Sequence, residues 1–450
     1  MDDGAKPLNS DELKNLLEKK QLREIKIKIS ELNENDIAAF LEELDTEKAT
    51  VVFRLLPKDL ATDVFACMSI EFQKSIIDSV TDKELVAIIE DLAVDDAVDI
   101  LEELPSNIVS KILNAATPQT RKEINQFLKY PDSSAGSVMT SEYVKLSKEY
   151  TVKEALDVIR KQGVDKETIY TCYVVEKSRI LIGVVTLKDL LLSHDDELIE
   201  DIMDENVIKA HTLDDKEEVS DMFNKYDLLA LPVVDKENRM VGIVTVDDAV
   251  DVMEEEATED IEKMAAIRPS EKPYLKTDVL TIVRNRIVWL IIFMIIGIFI
   301  GLLLNIYEDT IKLFPILVTF IPMLTDTGGN SGTQAATMVI RGLTLDEIQP
   351  KDIGKIIWKE IRVGLILGII LAVIDFAIMQ LIYPGKLVLT GVVAASIIVI
   401  VLMSKLIGCT MPILAKVMKW DPANTAAPLL STIIDAAGLI VFFAIASHIL

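Results

Sequence analysis

Cysteine and histidine are nearly absent from this chain, with three of each in 450 residues. Cys67, Cys172 and Cys409 lie far apart, so neither a disulfide framework nor a thiolate metal site is implied. His194, His211 and His448 are equally scattered and cannot build a zinc cluster. Bases are scarce too: 46 lysines and arginines stand against 72 acids, a formal net charge of −26. A field of that sign repels nucleic acid and anionic lipid and attracts cations. The stretch Met1 to Lys20 is polar and charged rather than a cleavable leader, so the N-terminal part is expected in the cytoplasm.

What is present is divided unevenly. From Thr281 onward the chain holds 10 acids and 12 bases, which leaves a net of −28 on the first 280 residues. Long apolar runs begin in the same place. An acidic soluble part therefore precedes a membrane part.

The first region is a repeat. Apolar residues recur every 12 positions, at Leu32, Leu44, Leu56, Met68, Val80, Leu92, Leu104 and Ala116. An acid or amide opens a short apolar run in units such as Asn35–Leu41 and Asp95–Leu101, which suits a helix N-cap. Each unit is too short to bury its own face. Stacking into an all-α superhelix over residues 1–130 is expected, with an acidic outer face that by itself is often only a docking surface.

A second repeat spans residues 131–251. Gly183-Val184-Val185-Thr186-Leu187-Lys188-Asp189 matches Gly242-Ile243-Val244-Thr245-Val246-Asp247-Asp248, and Val138-Met139-Thr140 echoes Ile202-Met203-Asp204. Each half reads as a helix, β-branched strands, a glycine turn, a strand and a closing helix. This α/β pair resembles tandem CBS modules. In that family the cleft between halves often binds an adenine nucleotide, and Thr186/Asp189 and Thr245/Asp248 match the Thr-x-x-Asp pattern that holds a ribose. Many such pairs bind nothing, and both readings stay open. The last closing helix then runs into an acid-rich stretch from Asp247 to Glu262. Like charges three and four apart destabilise a helix unless something neutralises them. Oxygen ligands without imidazole or thiolate suit Mg²⁺ or Ca²⁺, whereas the plain alternative is an exposed charged linker.

Five apolar segments follow, Ile287–Leu304, Ile311–Ile340, Ile361–Tyr383, Leu387–Leu414 and Pro422–Leu450. Arg284, Arg286, Arg341, Lys351, Lys355, Lys359, Arg362, Lys416 and Lys419 fall on one side. The positive-inside bias then places the N-terminus in the cytoplasm and the C-terminus outside. Polar and helix-breaking residues gather in Pro322–Gln334 and around Pro428 and Asp435. They predict either broken backbone facing a watery cavity or glycines for close helix packing. Asp435 has apolar or small residues on both sides. A charge in lipid costs at least about 2.5–3.5 kcal/mol at mid-membrane, so an acid there marks an ion path by default. Asp375 is a weaker candidate.

The order of superhelix, CBS pair, acidic connecting helix and five-segment membrane domain resembles the MgtE family of magnesium channels. The resemblance spans essentially the whole chain. Its sharpest marks are Thr327–Gln334, Asp421-Pro422-Ala423 with Pro428, Thr432 and Asp435, and Ala257-Thr258-Glu259-Asp260-Ile261. The resemblance implies a homodimer in the cell (inner) membrane, with the pore on the two-fold axis and no enzymatic activity. Domains are then expected at 1–130, 131–251, 252–283 (a plug helix near Val252–Ile267 and a linker) and 284–450. It implies that Asp435 holds hydrated Mg²⁺ and that Gly328, Gly329, Asn330 and Gln334 line the pore. It also implies that Asp421 faces the plug at the pore mouth. Regulatory Mg²⁺ is expected at Asp63, Asp95, Asp99, Asp215, Glu217, Asp227, Asp248, Asp251, Glu256, Glu259 and Asp260, closing the channel when internal Mg²⁺ is high. ATP is a further expected ligand. Ala427, where some members carry Asn, and Asp326, an added carboxylate, depart from the family pattern. The competing readings are a CBS-gated transporter of another divalent cation such as Co²⁺ or Mn²⁺, and an intramembrane enzyme using Asp326, Asp375 and Asp435.

Overall fold

The computed structural model describes residues 10–450 except 103, 271–273, 276, 346 and 426. The first nine residues of the expected superhelix, and residues 271–273 and 276 of the expected linker, lie outside the described residues. The chain forms two compact units, residues 1–254 and 255–450.

The first unit opens with α1 (Ser10–Glu18) and α2 (Leu22–Ile29). Eight helices follow: α3 (Glu34–Glu42), α4 (Thr46–Phe53), α5 (Lys58–Ala66), α6 (Ile70–Ile77), α7 (Asp82–Asp91), α8 (Val94–Glu102), α9 (Ser106–Ala115) and α10 (Pro118–Phe127). Their starts are spaced 12 residues apart throughout, which is the sequence period. The periodic residues Leu56, Met68, Leu92, Leu104 and Ala116 sit at the helix ends and are buried. The first four of these belong to a continuous core with Ile37, Phe40, Val52, Phe65, Ile76 and Ile89. The N-caps are more varied than an acid-or-amide rule. Asn33 and Thr81 cap with their side chains, whereas Pro57 and Pro105 stand at that position in two others.

The second half of this unit holds two three-stranded sheets. One is β1 (Tyr143–Leu146), β2 (Thr168–Val175) and β3 (Leu181–Thr186); the other is β4 (Ala210–His211), β5 (Ala230–Val234) and β6 (Met240–Thr245). In each, the first pair is parallel and the second antiparallel. Helices α11 (Val152–Gln162), α12 (Leu187–Leu192), α13 (Ile199–Ile202), α14 (Lys216–Tyr226) and α15 (Val246–Met264) complete the two halves. The repeated glycines have a shared steric reason. A Cβ on Gly242 would lie 2.6 Å from the Thr140 carbonyl oxygen, and one on Gly183 would lie 2.7 Å from Met203 Sδ. The Met-Thr and Met-Asp echoes are therefore the segments that cross these glycines, bridging Thr140 to Ile243 and Asp204 to Val184.

Helix α15 runs unbroken for 19 residues from the second half of the α/β pair into the acid-rich stretch. The plug expected from Val252 is thus the continuation of the CBS closing helix.

The second unit contains α16 (Val279–Ile306), α17 (Glu308–Leu313), α18 (Ile321–Thr344), α19 (Ile353–Ile382), α20 (Leu387–Val417) and α21 (Ala427–Ile449). Among the described residues, four helices are long and apolar enough to cross a membrane: α16, α19 with its leading turn, α20 and α21. The second expected segment is α18, which has the length but carries too many polar groups to count with them. Two local expectations change. The Gly-rich run of α18 is continuous helix rather than broken backbone, and its glycines serve packing. A Cβ on Gly332 would sit 2.1 Å from Ile434 Cδ1, and the Gly332 carbonyl oxygen lies 2.2 Å from where a Gly408 Cβ would be. Pro428 does not break α21. It stands in the first turn, where its missing N–H costs no helical hydrogen bond.

Candidate functional site

Helix α18 presents two unlike faces. Leu324, Gly328, Ser331, Gly332, Ala335 and Val339 are buried, whereas Asp326, Asn330, Gln334 and Thr337, three or four residues apart, form an exposed polar stripe. At membrane depth such a stripe needs water or polar partners. Beside it, half-buried on α21, is Asp435. Gly329 brings the two helices together: a Cβ there would lie 3.3 Å from Ser431 Oγ and 3.7 Å from Asp435 Oδ1. One turn on, Thr333 Oγ1 and Ser431 Oγ are 3.5 Å apart. The charge acting on Asp435 is that of Asp326. The fold thus gathers Asp326, Gly329, Asn330 and Asp435 around one polar strip. Thr432 donates to the Pro428 carbonyl at 2.6 Å, which uses its proton within α21 and leaves its oxygen lone pairs as acceptors. Asp375 belongs to a different interface. It continues the buried stripe Gly364, Gly368 and Ala372 of α19 that packs on α20, and its Oδ2 has no hydrogen-bond partner.

The end of α15 meets the start of the last helical segment through one lysine. Lys263 Nζ donates at 2.8 Å to Asp421 Oδ2 and lies 2.8 Å from Glu259 Oε1. Asp421 Oδ1 meanwhile accepts from the Ala423 N–H at 2.8 Å, capping the turn Pro422–Asn424. Burial opposes the charge on Lys263, but its hydrogen bonds to Asp421 and Glu259 hold its pKa above the ordinary value. Burial, then the Asp421 charge, push the Asp260 carboxyl up. Sequence reasoning found Glu259, Asp260 and Asp421 but not Lys263, whose partner lies 158 residues away.

In the first unit, carboxylates from three elements crowd together. Asp95 of α8 is raised well above its ordinary pKa by burial and by Asp96 and Asp248, and its Oδ1 is buried with no hydrogen-bond partner. Burial pushes Asp248 up to about 6, with Asp247 and Asp96 adding to it against a hydrogen bond from Thr245. Glu167, whose outer edge stays exposed, is pushed up to about 7 by burial and by Asp247, Asp248, Glu142 and Asp96. Of these, Asp96, Glu142 and Glu167 were not expected. The missing signal is spatial, because Glu167 stands in the loop before β2, far in sequence from α8. Among the described residues no three carboxylate, imidazole or thiol groups are close enough together to hold a metal ion. The acids crowd without closing.

The other expected sites are dispersed. Asp63 and Asp99 are exposed on α5 and α8, and Asp251 is exposed on α15. Asp215 is the N-cap of α14, accepting from the Glu217 N–H at 2.9 Å, and Asp227 ends that helix in a left-handed conformation with φ 52°. Glu256 is half-buried on α15. Thr186 Oγ1 donates to Asp189 Oδ2 at 2.5 Å and Thr245 Oγ1 to Asp248 Oδ2 at 2.6 Å. The Thr-x-x-Asp pairs therefore bond to each other at helix N-termini.

Residues 321–445 match the Divalent cation transporter family MgtE, residues 32–133 the MgtE intracellular N domain, and residues 135–194 and 199–255 the CBS domain. The chain is similar to the Magnesium transporter MgtE of Thermus thermophilus, 34% identical over 97% of this chain and 98% of that protein. It is also similar to the one of Bacillus subtilis, 33% identical over 96% and 95%. Among solved structures it resembles the soluble part of a magnesium transporter, with a TM-score of 0.53 and 33% identity over 55% of this chain and 98% of that one. The cytosolic domain of the Mg²⁺ channel MgtE in complex with ATP aligns with a TM-score of 0.52 and 36% identity over 54% of this chain and 99% of that one.

Proposed function

This chain belongs to the MgtE family of magnesium transporters, and on that premise we propose that it is a Mg²⁺-selective uptake channel of the cell membrane, closed by internal Mg²⁺. The observation that carries the reading is the polar strip of α18 and α21, where Asp326, Asn330 and Asp435 lie together in an otherwise apolar unit. Mg²⁺ sheds water reluctantly and keeps several waters when bound. Amides, hydroxyls and a carboxylate hold such an ion through its water shell. Two copies of the strip facing each other across a two-fold axis enclose a path, and paired Asp435 carboxylates repel unless a divalent cation sits between them.

Gating follows from the acid crowding. In the first unit, Asp95, Asp96, Glu167 and Asp248 are pushed up by burial first and then by the charges of neighbouring acids, Asp247 among them. Their oxygen-only chemistry suits Mg²⁺, and the orphaned Asp95 Oδ1 is a ready acceptor for it. Bound Mg²⁺ stabilises the compact, closed arrangement, and its loss releases it. In the second unit, Lys263 already ties the end of α15 to Asp421, with Asp260 and Glu259 beside them for an ion to complete.

Flux of Mg²⁺, Mn²⁺, Co²⁺ and Ca²⁺ into empty proteoliposomes tests the reading. Mg²⁺ should lead, and internal Mg²⁺ should suppress it. Preference for Co²⁺ or Mn²⁺ would shift the reading to another divalent cation. ATP is the second ligand proposed, since a 36% identical cytosolic domain is known in complex with it. Binding requires Thr186–Asp189 and Thr245–Asp248 to release each other toward a ribose. Calorimetry showing no heat at millimolar ATP would remove that part.

A further inference from the structure

Lys405 stands in the middle of α20, inside the membrane unit, and is 4% exposed. It sits at the level of the start of α19's apolar run, just past Arg362, and is enclosed by protein rather than reaching solvent. Its stem packs on a notch in α19, where a Cβ on Gly364 would lie 3.5 Å from Lys405 Cγ. Its ammonium donates at 3.4 Å to Gln334 Oε1, and among the described residues it forms no ion pair. A charge that acts on it is that of Glu360 on α19, whose Oε2 is buried without a hydrogen-bond partner. Burying an ammonium is costly unless it is paired, and here its hydrogen bond goes to one side-chain amide.

The chemistry of that contact is one-sided. An ammonium has three donors and no acceptor, so Gln334 must turn its carbonyl oxygen to Lys405. What Gln334 offers elsewhere is its NH₂. Gln334 belongs to the exposed stripe of Asp326, Asn330 and Thr337. It lies five residues beyond Gly329, the residue beside Asp435, which is about 7.5 Å along the helix toward Arg341. A hydrated divalent cation shows water hydrogens outward, so wall acceptors hold it and wall donors do not.

We infer that Lys405 is a positioning residue for permeation. It fixes the Gln334 amide as a donor on the path wall, so that Asp435 remains the tight station and the ion leaves it freely toward the Arg341 end. The inference rests on the reading that α18 and α21 line the path. Without the ammonium, Gln334 is free to turn its oxygen toward the path and create a second holding station.

The test is Mg²⁺ flux by the full-length protein in proteoliposomes, with apparent KM and maximal rate measured separately. Lys405→Met should lower both together, by about threefold or more, the scale of one hydrogen bond. Lys405→Arg should retain both values. Lys405→Gln keeps an amide donor without a charge and should also retain them, which serves if Lys405→Met fails to fold. In a Gln334→Leu background, Lys405→Met should change nothing further. Unchanged KM and rate in Lys405→Met, the same loss in Lys405→Gln, or an undiminished Lys405→Met effect in the Gln334→Leu background would each overturn the inference. Failure of the underlying reading looks different, because it appears as absent Mg²⁺ flux in the parent protein or near-normal flux in Asp435→Ala.

Discussion

In the first unit, acids from α8, β6–α15 and the loop before β2 crowd one another, while in the second Asp435 stands on an apolar helix with Asp326 as its charged neighbour. Both arrangements make a carboxylate receptive to a divalent cation, by different physics. In the soluble cluster, burial first and mutual repulsion second raise the pKa values, and an ion relieves the repulsion. In the membrane, a low dielectric strengthens every interaction of the charge with an ion. The first arrangement suits sensing, because many weak sites add up to a steep response. The second suits conduction, because one station decides passage. Lys263 and Lys405 repeat the contrast: one bridges acids, and the other, buried between helices, serves an amide.

The comparison breaks first at the plug. Combining Glu256→Ala, Glu259→Ala and Asp260→Ala should leave Mg²⁺ flux running at high internal Mg²⁺, with the closing concentration raised about tenfold or more, equivalent to roughly 1.4 kcal/mol of lost ion binding. Flux traces recorded over a series of internal Mg²⁺ concentrations measure it, and normal closure of the triple variant would move the gating acids elsewhere.

A smaller effect is expected from packing. Gly408→Ala places a Cβ 2.2 Å from the Gly332 carbonyl oxygen, which is backbone and cannot swing aside. Overpacking of that kind costs about 1–3 kcal/mol, so thermal unfolding in detergent should shift down. Gly354→Ala, with nothing within 4 Å, is the silent control. Equal melting of the two variants would show that α18 and α20 are not held this closely.

The smallest effect sharpens the sensing side. Asp248 and Glu167 are pushed up to about 6 and about 7, above the ordinary carboxylate values of roughly 4. Between about pH 4 and 7 the folded unit therefore holds more protons than the unfolded chain, and its stability falls as pH rises through that window. Hydrogen-exchange protection factors of α8 and β6 in the full-length protein, each corrected for the intrinsic rate at its pH, should be lower at pH 7.5 than at pH 5 without Mg²⁺, and Mg²⁺ should narrow the gap. Higher protection at pH 7.5 would contradict the crowding.

The periodic features were legible in advance. A 12-residue apolar spacing translates directly into helix starts, because nothing else fits so short a unit. The paired Gly183 and Gly242 marked the CBS halves because close backbone crossings exclude a side chain. The α18 glycines were harder, since the same Gly-Gly-Asn pattern suits either broken backbone or tight packing, and only the neighbouring Gly408 and Ile434 decide. Proline at 428 was misread for lack of the helix boundary. The Thr-x-x-Asp pairs carry a local capping role that explains the pattern without any ligand. Lys263, Lys405 and Glu167 were invisible because their meaning lies in partners on distant elements.

The central claim is that Asp435 is the station through which the ion passes, and Mg²⁺ uptake into empty liposomes by Asp435→Ala tests it most directly. The account predicts that this variant, still folded and inserted, loses uptake by at least about a hundredfold, the equivalent of roughly 2.7 kcal/mol, and that Asp435→Asn, which keeps the shape without the charge, fails as well. Near-normal Mg²⁺ flux per folded protein in Asp435→Ala, accompanied only by a lower melting temperature, would contradict it and make Asp435 a structural partner.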